Sequence, residues 1–386
     1  MSAIIGTIKK RFSTGHQHAA SSSAAASDQA APVPVNVEFK GYAVTDPDKW
    51  STFEIIDFQP KTWQDTDVEI AISHCGVCGS DVHTITSGWG SFPAPLVVGH
   101  EIVGKVTRVG SKVKGFKVGD RAGVGAQIGA CYSCRACKSD NEQYCPSKIN
   151  TYAGTYPDGV KTQGGYATAI RAHEQFVFPI PDRLESRYAS SMLCAGLTVF
   201  SPLKRHGAGP GKKVGILGIG GLGHYAVLFA KAMGAEVYAF THSESKVEDI
   251  KKMGADHVVV TDEEGEFTKP LTQALDLIIS TRDVADNMPL DMYLKMLWVH
   301  GKFISVGLPD KPLPQVMAMD FEGNGCFMGG SHIGNKKEAI EMLNLAAAKG
   351  IRPWIEEMPM KEAQQAVEKV KRNDVRYRLV LTQDLV

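Results

Sequence analysis

Surplus charge of either sign is what this 386-residue sequence lacks, since Lys plus Arg and Asp plus Glu each number 42. No strong overall field draws such a chain to nucleic acid or to an anionic membrane, and any anion binding must be local. Long hydrophobic runs are missing too. No stretch reaches the roughly 18 apolar residues of a membrane span, because rich segments such as Val214 to Leu217 are broken by glycine within a few positions. Acidic residues do not occur before Asp28, which sets the first 35 residues apart. Hydrophobic residues at 43% and charged ones at 22% are otherwise ordinary for a globular chain. At this length two domains are expected.

The first 35 residues are rich in Ala and Ser, and Ile4, Ile5, Ile8 and Phe12 fall on one side of a candidate helix beside Lys9, Lys10 and Arg11. Two readings stand: a disordered extension of a cytoplasmic protein, or a mitochondrial presequence whose helix Gly6 weakens. From about Val35 to Met192 short β segments with glycine punctuation follow one another, among them Val68 to Ser73, Ile102 to Val109 and Tyr166 to Ile170. After Gly211 strand and helix alternate. Strand candidates are Lys213 to Leu217, Val237 to Phe240, His257 to Val260, Leu275 to Ser280, Lys302 to Val306 and Cys326 to Met328, with an apolar-periodic helix from Leu222 to Met233. These six strands predict a doubly wound parallel sheet. Beyond a helix ended by Gly350, Ile351 to Glu356 and Arg376 to Leu381 read as β again, which returns the C-terminus to the first domain.

Gly218, Gly220 and Gly223, with Gly221 and Leu222 between them, form G-x-G-x-x-G directly after a strand and at the mouth of a helix. In that context the pattern marks a dinucleotide site: one glycine for the tight turn, one for close approach to a pyrophosphate, and a helix N-terminus that supplies N–H donors. A glycine-rich core turn is the plain alternative. An NAD site calls for Asp or Glu at the end of the second strand, but the residue there is Thr241. His242, Ser243 and Lys246 beside it can donate to a 2′-phosphate, which predicts NADP. Glu244 is the counter-observation, as a loop carboxylate could still reach a ribose.

Of eight cysteines (Cys75, Cys78, Cys131, Cys134, Cys137, Cys145, Cys194 and Cys326), four fall in C-x2-C-x2-C-x7-C from Cys131 to Cys145. No secretory signal is read before them, so the spacing predicts metal ligation in a reducing compartment. Four thiolates close a tetrahedral shell, the mark of a structural zinc. An iron–sulfur cluster or a nucleic-acid-binding finger are the alternatives. Three other segments carry candidate ligands: Cys78-Gly-Ser-Asp-Val-His83, Gly99-His100-Glu101 and Leu193-Cys194-Ala-Gly-Leu-Thr198. Spacing alone does not join them, and singly a buried cysteine or a core histidine explains each.

Taken together, these segments with Gln163-Gly-Gly-Tyr-Ala167, the glycine turn and Asp374-Val-Arg-Tyr-Arg378 resemble the zinc-containing medium-chain dehydrogenases, and within them the cinnamyl alcohol dehydrogenase group, from about Phe39 to Leu381. The resemblance implies an α/β chain: a GroES-like β-rich catalytic domain from residues 36–193 and 346–386, and a doubly wound Rossmann domain from residues 194–345. It implies a catalytic zinc on Cys78, His100 and Cys194, a ligand set known for alcohol dehydrogenases, with Glu101 behind the metal and Asp81 accepting from the His100 ring. A proton relay is implied through Ser80, the cofactor ribose and His83, where ordinary loop polarity is the alternative. Thr198 matches a position beside the nicotinamide, Arg376 one at the pyrophosphate, and Trp89 an aromatic pocket position that could equally be core. Asn150 stands where plant lignin-pathway enzymes carry a bulky aromatic, so a broad NADP-dependent aldehyde reductase is expected in place of a monolignol enzyme. The expected partners are a small alcohol or aldehyde and a second copy in a homodimer, with no nucleic acid or membrane. Two competing readings are an NAD-dependent polyol dehydrogenase and a non-enzymatic zinc protein.

Overall fold

In a computed structural model of the chain, which describes residues 37–261 and 266–385, strand Asp67–Val77 is the axis of the first region. Val68, Ile70 and Ile72 alternate along it and are buried, the period of two of a strand with one face on a core. It pairs antiparallel with Glu101–Val109, with Ala169–His173 and, toward its end, with Arg378–Thr382. Arg378–Thr382 pairs in parallel with Ile355–Pro359, so segments from both halves of the sequence share one seven-stranded sheet. Val68, Ile70, Ile102, Tyr166, Leu379 and Leu381 are buried in one cluster.

The second region is a six-stranded parallel sheet. Its order is His257–Val260, Glu236–Thr241, Lys213–Leu217, Leu275–Ser280, Leu297–Ser305, Phe327–Gly330, the 3-2-1-4-5-6 arrangement of a doubly wound dinucleotide-binding sheet. Successive side chains enter two apolar layers: Val214, Ile216, Val237 and Ile279 on one face, Leu217, Phe240, Leu275 and Ile278 on the other. A parallel sheet covered on both faces needs near-continuous apolar strands, which is why these stand out in the sequence. Helix Gly221–Ala232 follows the first strand, and helix Lys336–Lys349 starts on an Asn335–Glu338 capping box and stops at Gly350, whose φ is 64°.

Several boundaries differ from expectation. The strand foreseen at Tyr166 begins only at Ala169, because Gly164, Gly165 and Tyr166 instead send their N–H groups to Val97, Gly99 and Val98. The segment foreseen from Ile351 starts at Ile355, and the strand foreseen from Lys302 already begins at Leu297. Nothing in the apolar spacing announced the π-helical turn Met192–Gly196. No helix among the described residues is long and apolar enough to cross a membrane. The candidate presequence lies outside the described residues.

Candidate active site

Strand Asp67–Val77 ends where Cys78 caps helix Gly79–Ile85, and strand Glu101–Val109 begins one residue after His100. Because Gly76 pairs with Glu101 across these strands, Cys78 and His100 are delivered to one point. Cys194 joins them on the turn Met192–Gly196, inserted between helices Ser186–Ser191 and Leu197–Arg205; such turns recur at functional sites. The three ligand atoms lie within 4.8 Å of one another, and all three residues are buried. Cys78 Sγ and Cys194 Sγ are 4.0 Å apart, close to the edge of about 3.8 Å in a tetrahedron with roughly 2.3 Å metal–sulfur bonds.

His100 turns Nδ1 to Asp81 Oδ1 at 3.4 Å, while its Nε2 is buried with no hydrogen-bond partner. An orphaned buried nitrogen is costly, and a cation between it and the two sulfurs removes that cost, so these residues fit a zinc ion. Asp81 is itself fixed, accepting from Cys78 N at 2.9 Å, Gly99 N at 3.2 Å and Tyr166 Oη at 3.3 Å. Burial opposes charge on His100, yet Asp81 and Cys78 outweigh it and raise the ring to about 9. The hydrogen bond from Cys194 holds Cys78 well below the usual thiol range, and Cys194, facing that sulfur, is pushed up.

Glu101 is not in the ligand group. Arg378 Nη2 donates to its two oxygens at 2.6 and 2.5 Å, and Ala195 N to Oε1 at 3.2 Å. Burial lifts the Glu101 carboxyl to about 7 against the pull of Arg378. Ser80, His83, Trp89 and Thr198 all line the same cleft, which encloses about 940 Å³. The His83 ring stacks on Trp89 with centroids 4.8 Å apart, and its Nδ1 is 3.4 Å from Asp310 of the second region.

Gly218, Gly220, Gly221, Leu222, Thr241, His242 and Lys246 line this cleft as well. Gly218 has φ +84°, and a Cβ on Gly223 would lie 2.0 Å from Gly218 O, so one glycine makes the turn and the other lets the helix lie against the strand. Gly223 and Ser243 are not on the cleft wall. Thr241 ends its strand buried, its Oγ1 accepting from Ser243 N at 3.2 Å. Lys246 Nζ donates to Ile219 O at 2.9 Å, with Arg376 on the same Tyr377 ring and Asp249 on the Tyr377 hydroxyl. Burial and then Arg376 lower the Lys246 pKa. Glu244 is exposed, in the 3-10 turn Glu244–Lys246, and off the cleft wall.

Arg376 and Arg378 are placed differently. Arg376 does not line the cleft, whereas Arg378 does, and a Cβ on Gly221 would come within 2.9 Å of Arg378 Nη1. Arg376 precedes the strand Arg378–Thr382, and the motif that holds both arginines does not by spacing alone separate them. Tyr152 was also missed. Its ring stacks on His100 with centroids 5.3 Å apart, and no motif points to it.

Cys131, Cys134, Cys137 and Cys145 form the other cluster, with sulfurs 3.5 to 4.0 Å apart around the ring, again the edges of a small tetrahedron. Cys131 N, Cys134 N and Cys137 N donate to sulfurs within it. Such bonds favour the thiolate form.

Two family profiles match the chain, an alcohol dehydrogenase GroES-like domain over residues 64–182 and a zinc-binding dehydrogenase over residues 221–348. NADP-dependent alcohol dehydrogenase 6 of Saccharomyces cerevisiae is 42% identical over 348 residues, 89% of this chain and 96% of that protein. Among solved structures, a cinnamyl alcohol dehydrogenase of Sorghum bicolor superposes with a TM-score of 0.84 at 34% identity, covering 89% of this chain and 97% of that one. A cinnamyl alcohol dehydrogenase of Helicobacter pylori complexed with NADP(H) gives 0.82 at 35% identity, with 90% and 98% covered. With a GroES-like region, a doubly wound sheet and two cysteine-rich clusters in place, the chain belongs to the zinc-containing medium-chain alcohol dehydrogenases, in the cinnamyl alcohol dehydrogenase group.

Proposed function

We propose that the chain interconverts primary alcohols and aldehydes with NADP(H), acting as a broad aldehyde reductase on hydrophobic or aryl substrates. One observation carries this reading: the buried Cys78–His100–Cys194 triad, with His100 Nε2 lacking a partner, opens into the cleft that holds the glycine-rich turn. When bound, zinc supplies a Lewis acid for a carbonyl oxygen and NADPH supplies the hydride. Cys78, His100 and Cys194 hold the metal, and Asp81 keeps the His100 proton on Nδ1 so that Nε2 is free to ligate. Glu101, bound by Arg378, places a compensating charge behind the ligands without joining them. Ser80 holds a proton at Oγ inside the cleft. His83, three residues on along the same helix and half-buried, holds it at the solvent side. Trp89 offers an aromatic face to the substrate.

Thr241 in place of an acid, with Lys246 and His242 on the cleft wall, supports NADP over NAD. The names of the yeast relative and of the Helicobacter structure point the same way. Arg378 takes the pyrophosphate role expected of Arg376, and Thr198 lies by the nicotinamide. Cys131, Cys134, Cys137 and Cys145 hold a second, structural zinc. Residues 36–193 with 346–386 form the catalytic domain and residues 194–345 the nucleotide domain, in a cytoplasmic homodimer. The outer strand Phe327–Gly330 has a free edge and an exposed Phe327, which supports pairing with a second copy.

The test is kcat/KM for benzaldehyde reduction with each cofactor, alongside a metal count. NADPH is expected to be preferred, with two zinc ions per chain. A preference for NADH overturns the cofactor assignment and favours the polyol dehydrogenase reading, while zinc binding without turnover favours the non-enzymatic one.

A further inference from the structure

Two segments that bear no catalytic role meet at the cleft. One follows the four-cysteine lobe and contributes Asn150 and Tyr152; the other follows strand Phe327–Gly330 and contributes Ser331, His332 and Ile333. Lys148, exposed and just off the cleft wall, lies beyond the first segment with its Nζ 3.3 Å from His332 Nε2 on the second. An ammonium group only donates, so Nε2 accepts and the ring proton sits on Nδ1. Burial and Lys148 push His332 down to about 4, which keeps the ring neutral at pH 7.

Lys148 spends one of its three N–H groups on His332, and the other donors gathered here are unspent. Among the described residues no carboxylate pairs with Lys148 and the Asn150 side chain makes no hydrogen bond, while Ser331 Oγ is buried without a partner. An apolar substrate tail pressed against this wall would strip water from the Asn150 amide and His332 Nδ1 and replace it with nothing, and would leave the buried Ser331 hydroxyl still without a partner. A carboxylate offers about four acceptor sites and a charge opposite to that of Lys148.

Resting on the aldehyde-reductase reading above, we propose that Lys148, Asn150, Ser331 and His332 form a subsite for a carboxylate carried at the far end of the aldehyde. The natural substrates are then oxo acids whose carboxylate is remote from the carbonyl, and the plain aryl aldehydes are the poorer ones. Lys148 and His332 are specificity residues and stay clear of the reacting atoms.

Three aldehydes of one shape separate charge from hydrogen bonding: 4-carboxybenzaldehyde, 4-formylbenzamide and methyl 4-formylbenzoate, each reduced with NADPH by the zinc-loaded enzyme. The carboxylate is expected to exceed both neutral compounds in kcat/KM by about tenfold, the size of one charge-assisted contact at a partly exposed site. That ratio should fall toward one in Lys148→Gln and shrink with added salt. Calorimetry of the NADP-loaded protein with 4-(hydroxymethyl)benzoate and its methyl ester should give the same ratio in Kd. A ratio near one in the parent enzyme, or one that survives Lys148→Gln, overturns the subsite while leaving the aldehyde-reductase reading intact. Reduction of none of the three overturns that reading and the subsite with it.

Discussion

At the scale of single residues, the Arg378–Glu101 pair is a buried ion pair beside the ligand cluster. Both side chains are almost wholly buried, and Arg378 reaches both Glu101 oxygens. Removing one partner of such a pair strands a charge in a dry interior, which costs about 3–5 kcal/mol. Arg378→Leu is therefore expected to lower unfolding free energy by about that much in urea denaturation, with part of the loss recovered in the double variant with Glu101→Gln. A loss under about 1 kcal/mol would show that water reaches the pair. The family resemblance points to Arg376 at the pyrophosphate, in the same motif that holds Arg378. The tertiary structure distinguishes them, with Arg378 on the cleft wall beside Gly221 and paired with Glu101.

Among the elements, the four-cysteine lobe does more than close on itself. Asp140 O accepts from Asn335 Nδ2 at 2.6 Å, Glu142 Oε1 from Lys336 N at 2.9 Å, and Asn141 Oδ1 from Arg205 Nη1 at 2.8 Å. Tyr144 Oη accepts from His332 N at 3.3 Å. The lobe thus holds the start of helix Lys336–Lys349, the end of helix Leu197–Arg205 and the segment bearing His332. With the proposed zinc in the lobe, loss of one thiol would open its tetrahedron, and metal binding at such a site is folding energy. Cys134→Ser should reduce zinc from two ions to one and lower Tm by roughly 5 °C or more; an unchanged Tm and zinc content would remove the lobe from the ledger of stabilising features. The lobe was legible because all four ligands fall within a short stretch. Its contacts with distant helices were not, since no local spacing encodes them.

For the whole molecule, acid is the condition that separates buried from exposed histidine. Burial depresses folded His224 from 6.5 to about 3, its Nδ1 held by Gly221 O at 2.8 Å and its Nε2 unpartnered. Above pH 6.5 the ring is neutral in both states and adds no pH dependence. As pH falls below 6.5 the unfolded chain takes up a proton that the folded chain refuses, so stability drops by up to about 1.4 kcal/mol per pH unit until about pH 3. His332 adds a similar slope down to about pH 4. The raised Glu101 carboxyl opposes this slope between pH 7 and pH 5, so the expected signature is the difference: unfolding free energy in the parent should lose more, or gain less, over that range than in His224→Asn. Equal slopes would mean that His224 is protonated in the native state.

Local chemistry determined what the sequence could declare by itself. Backbone sterics require glycine at Gly218 and Gly223, a tetrahedral ion requires closely spaced thiols, and a parallel sheet covered on both faces requires unbroken apolar strands. Each leaves a short-range mark. The tertiary structure decided the rest: the register that sets Gly76 beside Glu101, the π-helical turn that carries Cys194 to Cys78 and His100, and the meeting of Lys148 with His332. Those contacts join residues tens to hundreds of positions apart. They follow from strand pairing and packing across the whole chain, which no window of local sequence contains.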